Sequence, residues 1–232
     1  MGRPRIPLRA FLPGPASDLW LSIAPVLLRR HQKPTDGNDD MGKLIVEQII
    51  SVDGYAAEPD GGIDFFVNAR DINEADQDQL HLLAQVGAIV LGRTTYGMFA
   101  SYWPEADPLQ EPVAVRLNAL PKYVVSNTLS QAPWGERGEP ATVLRGDGVE
   151  SVRSLRERVD GDLIVWGSLT LCDALLRAGE VDLLRLRMVP TLIGAGRSFA
   201  PRDLGTRALA LQSVREYPHG LVVLEYGCLR TG

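Results

Sequence analysis

The segment 88–97, Ala-Ile-Val-Leu-Gly-Arg-Thr-Thr-Tyr-Gly, combines residue types that bind phosphate. An apolar run ends at Gly92 and Arg93, and the hydroxyl residues Thr94 and Thr95 follow at once. Backbone N–H groups at a helix start lack intrahelical partners, and the helix dipole favours an anion there. Arg93 adds a permanent cation with a planar fork of donors. The pattern predicts a buried strand that ends at an anion site.

A second segment, 162–171, has the same strand–glycine–helix character. Gly167 lets a ligand approach the backbone closely, and the N–H groups of Ser168, Leu169 and Thr170 follow at a predicted helix start. Ligands of open α/β sheets bind outside the carboxyl ends of the strands, so two such ends could jointly hold a diphosphate. Each segment alone also fits an ordinary turn between strand and helix, because neither matches a Walker A or Rossmann fingerprint.

Other catalytic chemistries find little support among the side chains. The three histidines lie in separate segments, and we expect each to be structural or solvated. Cys172 and Cys228 have neither metal-type nor redox-type spacing, so we expect both to be buried and reduced. The sequence contains no His, Cys and carboxylate pattern that indicates a metal, and none is predicted.

Composition sets the broad class of the protein. The chain has 232 residues, of which 45% are hydrophobic and 23% charged, and these values fit one large globular domain with an extension. The formal net charge of −5 argues against a general nucleic-acid partner. No apolar run approaches the roughly 20 residues that span a bilayer. We therefore predict a cytoplasmic protein that does not bind membranes.

The first 40 residues differ from the rest of the chain. Prolines interrupt any helix there, and regular patterning begins only at Lys43, directly after Met41 and Gly42. The apolar run 19–28 contains Pro25 and lacks a cleavage site after it, which disfavours a secretory signal. We predict that residues 1–40 form an irregular extension, that Met41 is the natural start, and that 41–232 form one domain.

Apolar periodicity then predicts strands that alternate with helices. The predicted strands cover 43–52, 87–91, 122–126, 142–144, 162–166 and 181–189. The predicted helices cover 73–86, with Asp71 or Asn73 as its cap, and 94–100, 149–159 and 169–178. A Pro-rich loop is predicted over 101–112, and the segments 208–217 and 221–229 form a closing pair. The fold class is therefore α/β, with a mixed sheet and a C-terminal antiparallel hairpin.

The order and spacing of these segments resemble the dihydrofolate reductase-like family. The more similar branch is related to the C-terminal reductase domain of bifunctional riboflavin-biosynthesis deaminase/reductase proteins. The resemblance covers about residues 42–229. Its matching pieces are ISVDG (50–54), LGRTTY (91–96), YWP (102–104), LNALPKYVVS (117–126), VWGS (165–168) and the stretch 181–196.

The resemblance implies a mainly parallel central sheet flanked by helices. It also implies NADPH as the cofactor, bound along the strand ends. Arg93 would contact the 2′-phosphate, and the neighbouring residues Gly92, Thr94 and Thr95 would lie near the diphosphate. The adenosine end would be lined by a polar triplet, which is Ser126, Asn127 and Thr128. The segment from Gly167 through Ser168, Leu169 and Thr170 would meet the diphosphate. Family members carry Gly-Gly where this chain has Gly167-Ser168, and serine still offers its N–H.

The substrate cleft implied by the resemblance lies between the first strand, the loop around residues 64–66 and the first helix. Candidate substrate-binding residues are Tyr55, Phe65, Phe66 and Trp103. A reductase also needs a proton source, and the candidates are Asp76, Asp53, Tyr55 or a water molecule. Folate enzymes place an acid on the first helix; position counting suggests Asp76, although its neighbours do not match the folate pattern.

These observations predict an NADPH-dependent reductase of a small heterocyclic or carbonyl substrate. The activity would resemble 5-amino-6-(5-phosphoribosylamino)uracil reductase of riboflavin biosynthesis, or dihydrofolate reductase. A riboflavin role rests on analogy, because no zinc-binding deaminase domain accompanies the reductase-like segments. Two other possibilities stay open, which are an NADP(H)-binding protein without catalysis and a homodimeric scaffold with the apolar last strands buried between subunits. We also expect the protein to form a homodimer.

Overall fold

The computed structural model describes residues 41–67 and 75–229 and is built on an eight-stranded sheet. The predicted extension 1–40 and the predicted caps Asp71 and Asn73 lie outside the described residues. The strands are β1 Leu44–Ile50, β2 Tyr55–Ala57, β3 Val86–Gly92, β4 Lys122–Val125, β5 Thr142–Leu144, β6 Asp162–Trp166, β7 Leu183–Met188, β8 Arg197–Ser198, β9 Leu209–Glu216 and β10 Val222–Cys228. The helices are α1 Asp64–Val67, α2 Asp76–Leu83, α3 Arg93–Tyr102, α4 Ala114–Ala119, α5 Gly148–Arg156 and α6 Leu169–Ala178.

The sheet order is β5-β4-β3-β6-β1-β7-β10-β9. The strands from β5 to β7 in this order are parallel, whereas β10 runs antiparallel to both β7 and β9. A short turn at Pro218–Gly220 connects β9 to β10. These features confirm the predicted mixed, mainly parallel sheet with its C-terminal antiparallel hairpin. Strands β2 and β8 form a separate two-stranded sheet.

Helices cover both faces of the sheet, which explains why its central strands are almost continuously apolar. On one face, α5 and α6 bury side chains such as Val152 and Leu175 against Val46 and Val165. On the other face, α2, α3 and α4 pack a second cluster that includes Leu117. Successive residues of each central strand alternate between the two clusters. The parallel strand ends therefore lie at one edge, between two packed layers.

Several short elements differ from the predicted pattern. Helix α3 continues to Tyr102 and is followed by a 3-10 turn at Trp103–Glu105, so the predicted loop 101–112 begins as helix. The helix predicted over 73–86 is observed as Asp76–Leu83. The elements α1, α4, β2 and β8 were not expected. Each has two to six residues, too few to form without the tertiary contacts around it.

Candidate functional site

The β3–α3 junction presents an open helix start beside a basic side chain. Gly92 occupies the cap position of α3 in extended backbone, and no side chain of the described residues caps that helix. The Gly92 N–H donates to Ser168 Oγ at 2.7 Å. Arg93 is exposed, and its Nη1 donates to Thr128 Oγ1 at 3.2 Å. The junction thus leaves backbone donors of the first helical turn available for an anion.

The β6–α6 junction adopts an uncommon backbone. Gly167 and Ser168 both have φ of 52°, a conformation that glycine reaches easily and serine does not. The Ser168 N–H donates to Thr95 Oγ1 at 2.8 Å, and the Ser168 hydroxyl donates to the Trp166 carbonyl at 2.8 Å. With the bond from Gly92, these contacts tie the two junctions together. Ser168 therefore links the neighbouring strand ends, and its N–H is paired with Thr95 rather than free for a ligand as the sequence predicted.

A third strand end, after β4, extends the same edge. Ser126 Oγ accepts the N–H groups of Thr128 at 3.3 Å and Leu129 at 3.2 Å. Asn127 turns away: its Oδ1 accepts the Gly146 N–H at 2.7 Å and its Nδ2 donates to the Gly146 carbonyl at 3.3 Å. Asn127 thereby holds the neighbouring loop, while Ser126 and Thr128 face the cavity.

One cavity of about 1410 Å³ joins these strand ends to the space beside α2. Its volume exceeds the roughly 300–1,000 Å³ typical of pockets for one small molecule. Most of the sequence-predicted site residues line it: Phe66, Asp76, Gly92, Arg93, Thr94, Thr95, Trp103, Ser126, Thr128, Gly167, Ser168, Leu169 and Thr170. Four others are not among its lining residues: Asp53, Tyr55, Phe65 and Asn127.

The residues outside the cavity have evident packing or turn contacts. Asp53 is exposed and accepts the N–H groups of Gly194 at 2.7 Å and Ile193 at 3.3 Å. Hydrogen bonds from Ser51 and these backbone groups hold the pKa of Asp53 below its ordinary value, so the carboxyl is ionised. Tyr55 belongs to β2, and Phe65 is buried in a small cluster with Val189 and Val223. Asp53 therefore holds the loop at residues 193–194, and the substrate-binding roles of Tyr55 and Phe65 stay predictions.

Asp76 lies on the first turn of α2 and lines the same cavity. It is next to Arg187 of β7, which is three positions from β3 in the sheet order. Only 5% of the surface of Asp76 is exposed, and its Oδ2 has no hydrogen-bond partner among the described residues. Oδ1 lies 4.0 Å from Arg187 Nη2. Burial raises the pKa of Asp76 to about 6, although the Arg187 charge opposes the rise. The carboxyl can therefore exchange a proton near neutral pH.

A buried ionic row supports this end of the cavity. Trp166, Glu47, Arg185 and Glu225 are register partners across β6, β1, β7 and β10. Arg185 is fully buried and donates to Glu47 Oε2, Glu225 Oε1 and Gln79 Oε1. Trp166 Nε1 donates to Glu47 Oε1 at 2.9 Å. Buried charges cost free energy unless they are paired, so the row fixes these side chains in one arrangement.

Sequence reasoning missed several residues of this end. Glu47, Gln79 and Arg187 line the cavity, as do the aromatic side chains of Phe99 and Tyr102. Burial lowers the pKa of Arg187, and Glu47 opposes that shift. A signal was present in the strands: a charged residue interrupts each apolar run, LIVEQII in β1 and LLRLRM in β7. A charge inside a strand covered on both faces must be paired or functional.

Residues 41–67 and 75–229 contain neither a candidate metal site nor a candidate membrane-spanning helix. No group of three or more His, Cys, Asp or Glu side chains in these ranges could hold a metal ion. No helix there is long and apolar enough to cross a bilayer.

Cys172 is free and fully buried, and burial raises the pKa of its thiol to about 12, whereas the free Cys228 is half-buried. Cys172 Sγ donates to the Gly167 carbonyl at 3.1 Å, so it supports the β6–α6 junction.

Comparison with known proteins agrees with the observed fold. Residues 42–223 match the family model of the RibD C-terminal domain. YyaP, an uncharacterised protein of Bacillus subtilis (strain 168), is 24% identical over 186 residues, covering 79% of this chain and 94% of YyaP.

Two solved structures show the same fold. A Shewanella sp. PV-4 protein with a provisional assignment to riboflavin biosynthesis has a TM-score of 0.65 at 21% identity, covering 81% of this chain and 99% of that one. Dihydrofolate reductase from Enterococcus faecalis, in a complex with NADP(H), has a TM-score of 0.51 at 15% identity, covering 81% and 97%. With a family model matching most of its length, the chain belongs to the RibD C-terminal domain family, a reductase-type family of dihydrofolate reductase-like fold.

Proposed function

We propose that the protein is an NADPH-dependent reductase of a small heterocyclic or carbonyl substrate. The observation that supports this function best is the joint geometry of one cavity. Two uncapped helix starts and Arg93 lie at one end, and the buried, titratable Asp76 lies at the other. The family favours a heterocycle of the kind reduced in riboflavin biosynthesis.

The residues present fit a dinucleotide diphosphate. The first turns of α3 and α6 face the cavity, with Thr94, Thr95 and Thr170 among its lining residues. Their backbone N–H groups would bind phosphate oxygens, and the helix dipoles would favour the negative charge. Arg93, exposed beside Thr128, would bind the 2′-phosphate that distinguishes NADPH from NADH.

The reaction requires a hydride and a proton. NADPH supplies the hydride when bound. In the protonated form, Asp76 would donate a proton from Oδ2, the oxygen that has no hydrogen-bond partner among the described residues. Aromatic side chains that line the cavity, including Phe66, Phe99 and Trp103, would exclude water from the reacting atoms.

Fluorescence titration with NADPH and NADH tests the cofactor assignment. We expect Arg93→Ala to weaken NADPH binding about 10- to 100-fold and NADH binding much less, because a charge-assisted hydrogen bond is worth about 1.5–3 kcal/mol. Arg158→Ala is the matched control, since Arg158 is exposed and donates to Ser154 of its own helical segment. Equal weakening of both cofactors by Arg93→Ala would refute the 2′-phosphate role.

The same titration separates catalysis from simple binding. Absence of NADPH binding at near-millimolar concentration would eliminate the proposed function. Binding of NADPH without oxidation across a panel of heterocycles would favour a non-catalytic NADP(H)-binding protein. The panel is monitored by loss of NADPH absorbance, with Asp76→Asn as the variant that retains NADPH binding and loses turnover.

We also propose that the protein is a homodimer. The edge strand β9 exposes Leu209, Leu211 and Val214, at 41%, 42% and 50% of their surface. An exposed apolar edge strand favours pairing with a second chain. Light scattering should give twice the chain mass of 25.3 kDa, and the monomer mass would contradict the proposal.

A further inference from the structure

Arg197 places a guanidinium on the cavity wall, next to the start of α6. Its side chain is 46% exposed, and it lines the cavity together with Thr170 of the first turn of α6. Arg197 Nη1 donates to Thr170 Oγ1 at 3.3 Å, and Arg197 Nη2 donates to Asp173 Oδ2 at 2.9 Å. A guanidinium has five N–H donors, so these two contacts leave further donors for a ligand.

The position of Arg197 is fixed by the two-stranded sheet of β2 and β8. Arg197 is the register partner of Ala57 in that sheet. A Cβ at the preceding Gly196 would lie 2.1 Å from the Ala57 carbonyl oxygen, so only glycine allows this close approach. The ion pair with Asp173 holds the guanidinium from the side of α6. Arg197 therefore reaches from a separate sheet to the helix start.

The adjoining β6–α6 junction has one backbone donor fewer than its sequence predicts. The Ser168 N–H donates to Thr95 Oγ1 at 2.8 Å, so it is not available to a phosphate. The helix also carries a carboxylate close to its start, because Asp173 follows Thr170 by three residues on the same face of α6. Asp173 is not among the cavity's lining residues, whereas Arg197 is. The guanidinium thus presents a positive charge where Asp173 alone would present a negative one.

We propose that Arg197 is a cofactor-binding residue that contacts the diphosphate of the dinucleotide and replaces the donor lost at Ser168. Its remaining N–H groups donate to diphosphate oxygens while Asp173 keeps the guanidinium in place. Arg197 also neutralises Asp173, whose carboxylate would otherwise repel the diphosphate. The inference rests on the proposed function, because it adds a residue of this chain to the cofactor site of the same cavity.

The two arginines of the cofactor site have different ligand preferences under this proposal. The partner proposed for Arg93 is the 2′-phosphate, which NADPH has and NADH lacks. The partner of Arg197 is the diphosphate, which NADPH, NADH and ADP-ribose share. Loss of Arg197 therefore weakens all three ligands by the same factor, whereas loss of Arg93 weakens NADPH selectively.

Isothermal titration calorimetry with NADPH, NADH and ADP-ribose tests the proposal. We expect Arg197→Ala to weaken the binding of each ligand about tenfold, because a hydrogen bond between charged groups is lost. Arg197→Lys keeps the charge and loses the planar fork, so we expect a loss of about threefold for each ligand. The matched control is Arg177→Ala on the same helix. The Arg177 side chain is also 46% exposed, and it pairs with Asp203 at 2.5 Å, so its loss should leave all three affinities unchanged.

The three ligands separate failure of this inference from failure of the proposed function. Unchanged affinities in Arg197→Ala would overturn the inference, as would a loss confined to NADPH. It would also be overturned by a wild-type protein that binds NADPH and does not bind ADP-ribose. Thermal unfolding checks that each variant is folded, and Arg197→Lys decides the question if Arg197→Ala is not. A wild-type protein that binds none of the three ligands would instead reject the proposed function.

Discussion

The two ends of the cavity are built in different ways. The end proposed to bind phosphate, called the phosphate-binding end, comprises the junctions β3–α3 and β6–α6, two short continuous segments whose residues line the cavity. The α2 end consists of single side chains from separate elements, including Glu47, Gln79 and Trp166. The buried Arg185 joins them through its contacts with Glu47 and Gln79. Local backbone geometry can present an anion site, whereas a selective polar pocket needs side chains held by one another.

The difference extends to electrostatics. At the phosphate-binding end, Arg93 is exposed and therefore well solvated. At the α2 end Glu47, Asp76, Arg185 and Arg187 are each less than 10% exposed. Buried charges depend on their partners far more than exposed charges do. Substitutions should therefore affect stability more at the α2 end.

The largest effect is expected from Arg185→Met. This change leaves Glu47 buried without its principal counter-ion, and breaking a buried pair in this way lowers the free energy of unfolding by about 3–5 kcal/mol. Urea denaturation at pH 8 measures the loss. Arg215→Met is the control, because Arg215 is exposed and pairs with Asp78 at 2.9 Å, a contact worth less than about 1 kcal/mol. Equal losses in the two variants would contradict the contrast between the ends.

Asp76→Asn should stabilise the protein in a pH-dependent way. The pKa of Asp76 rises from 3.8 to about 6 on folding, so ionisation disfavours the folded state. Its contribution to stability is fully present below about pH 4 and is lost as pH rises to about 6. Asparagine mimics the protonated acid. The free energy of unfolding of the variant should therefore exceed that of the wild type by about 3 kcal/mol at pH 8 and should equal it near pH 4. Urea denaturation across this range measures the difference, and a gain independent of pH would refute it.

A smaller effect is expected at the phosphate-binding end. Gly167→Ala places a Cβ in left-handed backbone, 3.1 Å from Thr95 Oγ1, and should cost about 1–2 kcal/mol while weakening NADPH binding. The control is Gly97→Ala within α3, where an added Cβ meets nothing within 4 Å. This change should raise the free energy of unfolding by about 0.5–1 kcal/mol. Thermal unfolding and NADPH titration of both variants give the comparison. Unchanged stability and affinity in Gly167→Ala would remove the special role of this junction.

The sequence predicted the elements that depend on local patterns better than those that depend on tertiary contacts. Strands β5 and β6 and helix α6 have the predicted bounds, and the sheet class is confirmed. Apolar periodicity and the glycines that end strands and helices are local signals, and they were sufficient to predict the bounds of these elements. The short β2, β8, α1 and α4 were not predicted, because their contacts with the rest of the fold form them. The roles of the individual site residues stay predictions.

The sequence by itself determined the α/β pattern, the strand ends at Gly92 and Gly167, and the family resemblance. These depend on residues that are neighbours along the chain. Only the tertiary structure decided that Glu47, Gln79 and Arg185 share one network, since 138 and 106 residues separate Arg185 from its two partners. Their contact depends on strand register and on burial between two packed layers, and no local pattern encodes either. For this reason the strand-end junctions could be inferred from the sequence, while the buried network beside α2 became visible only in the folded chain.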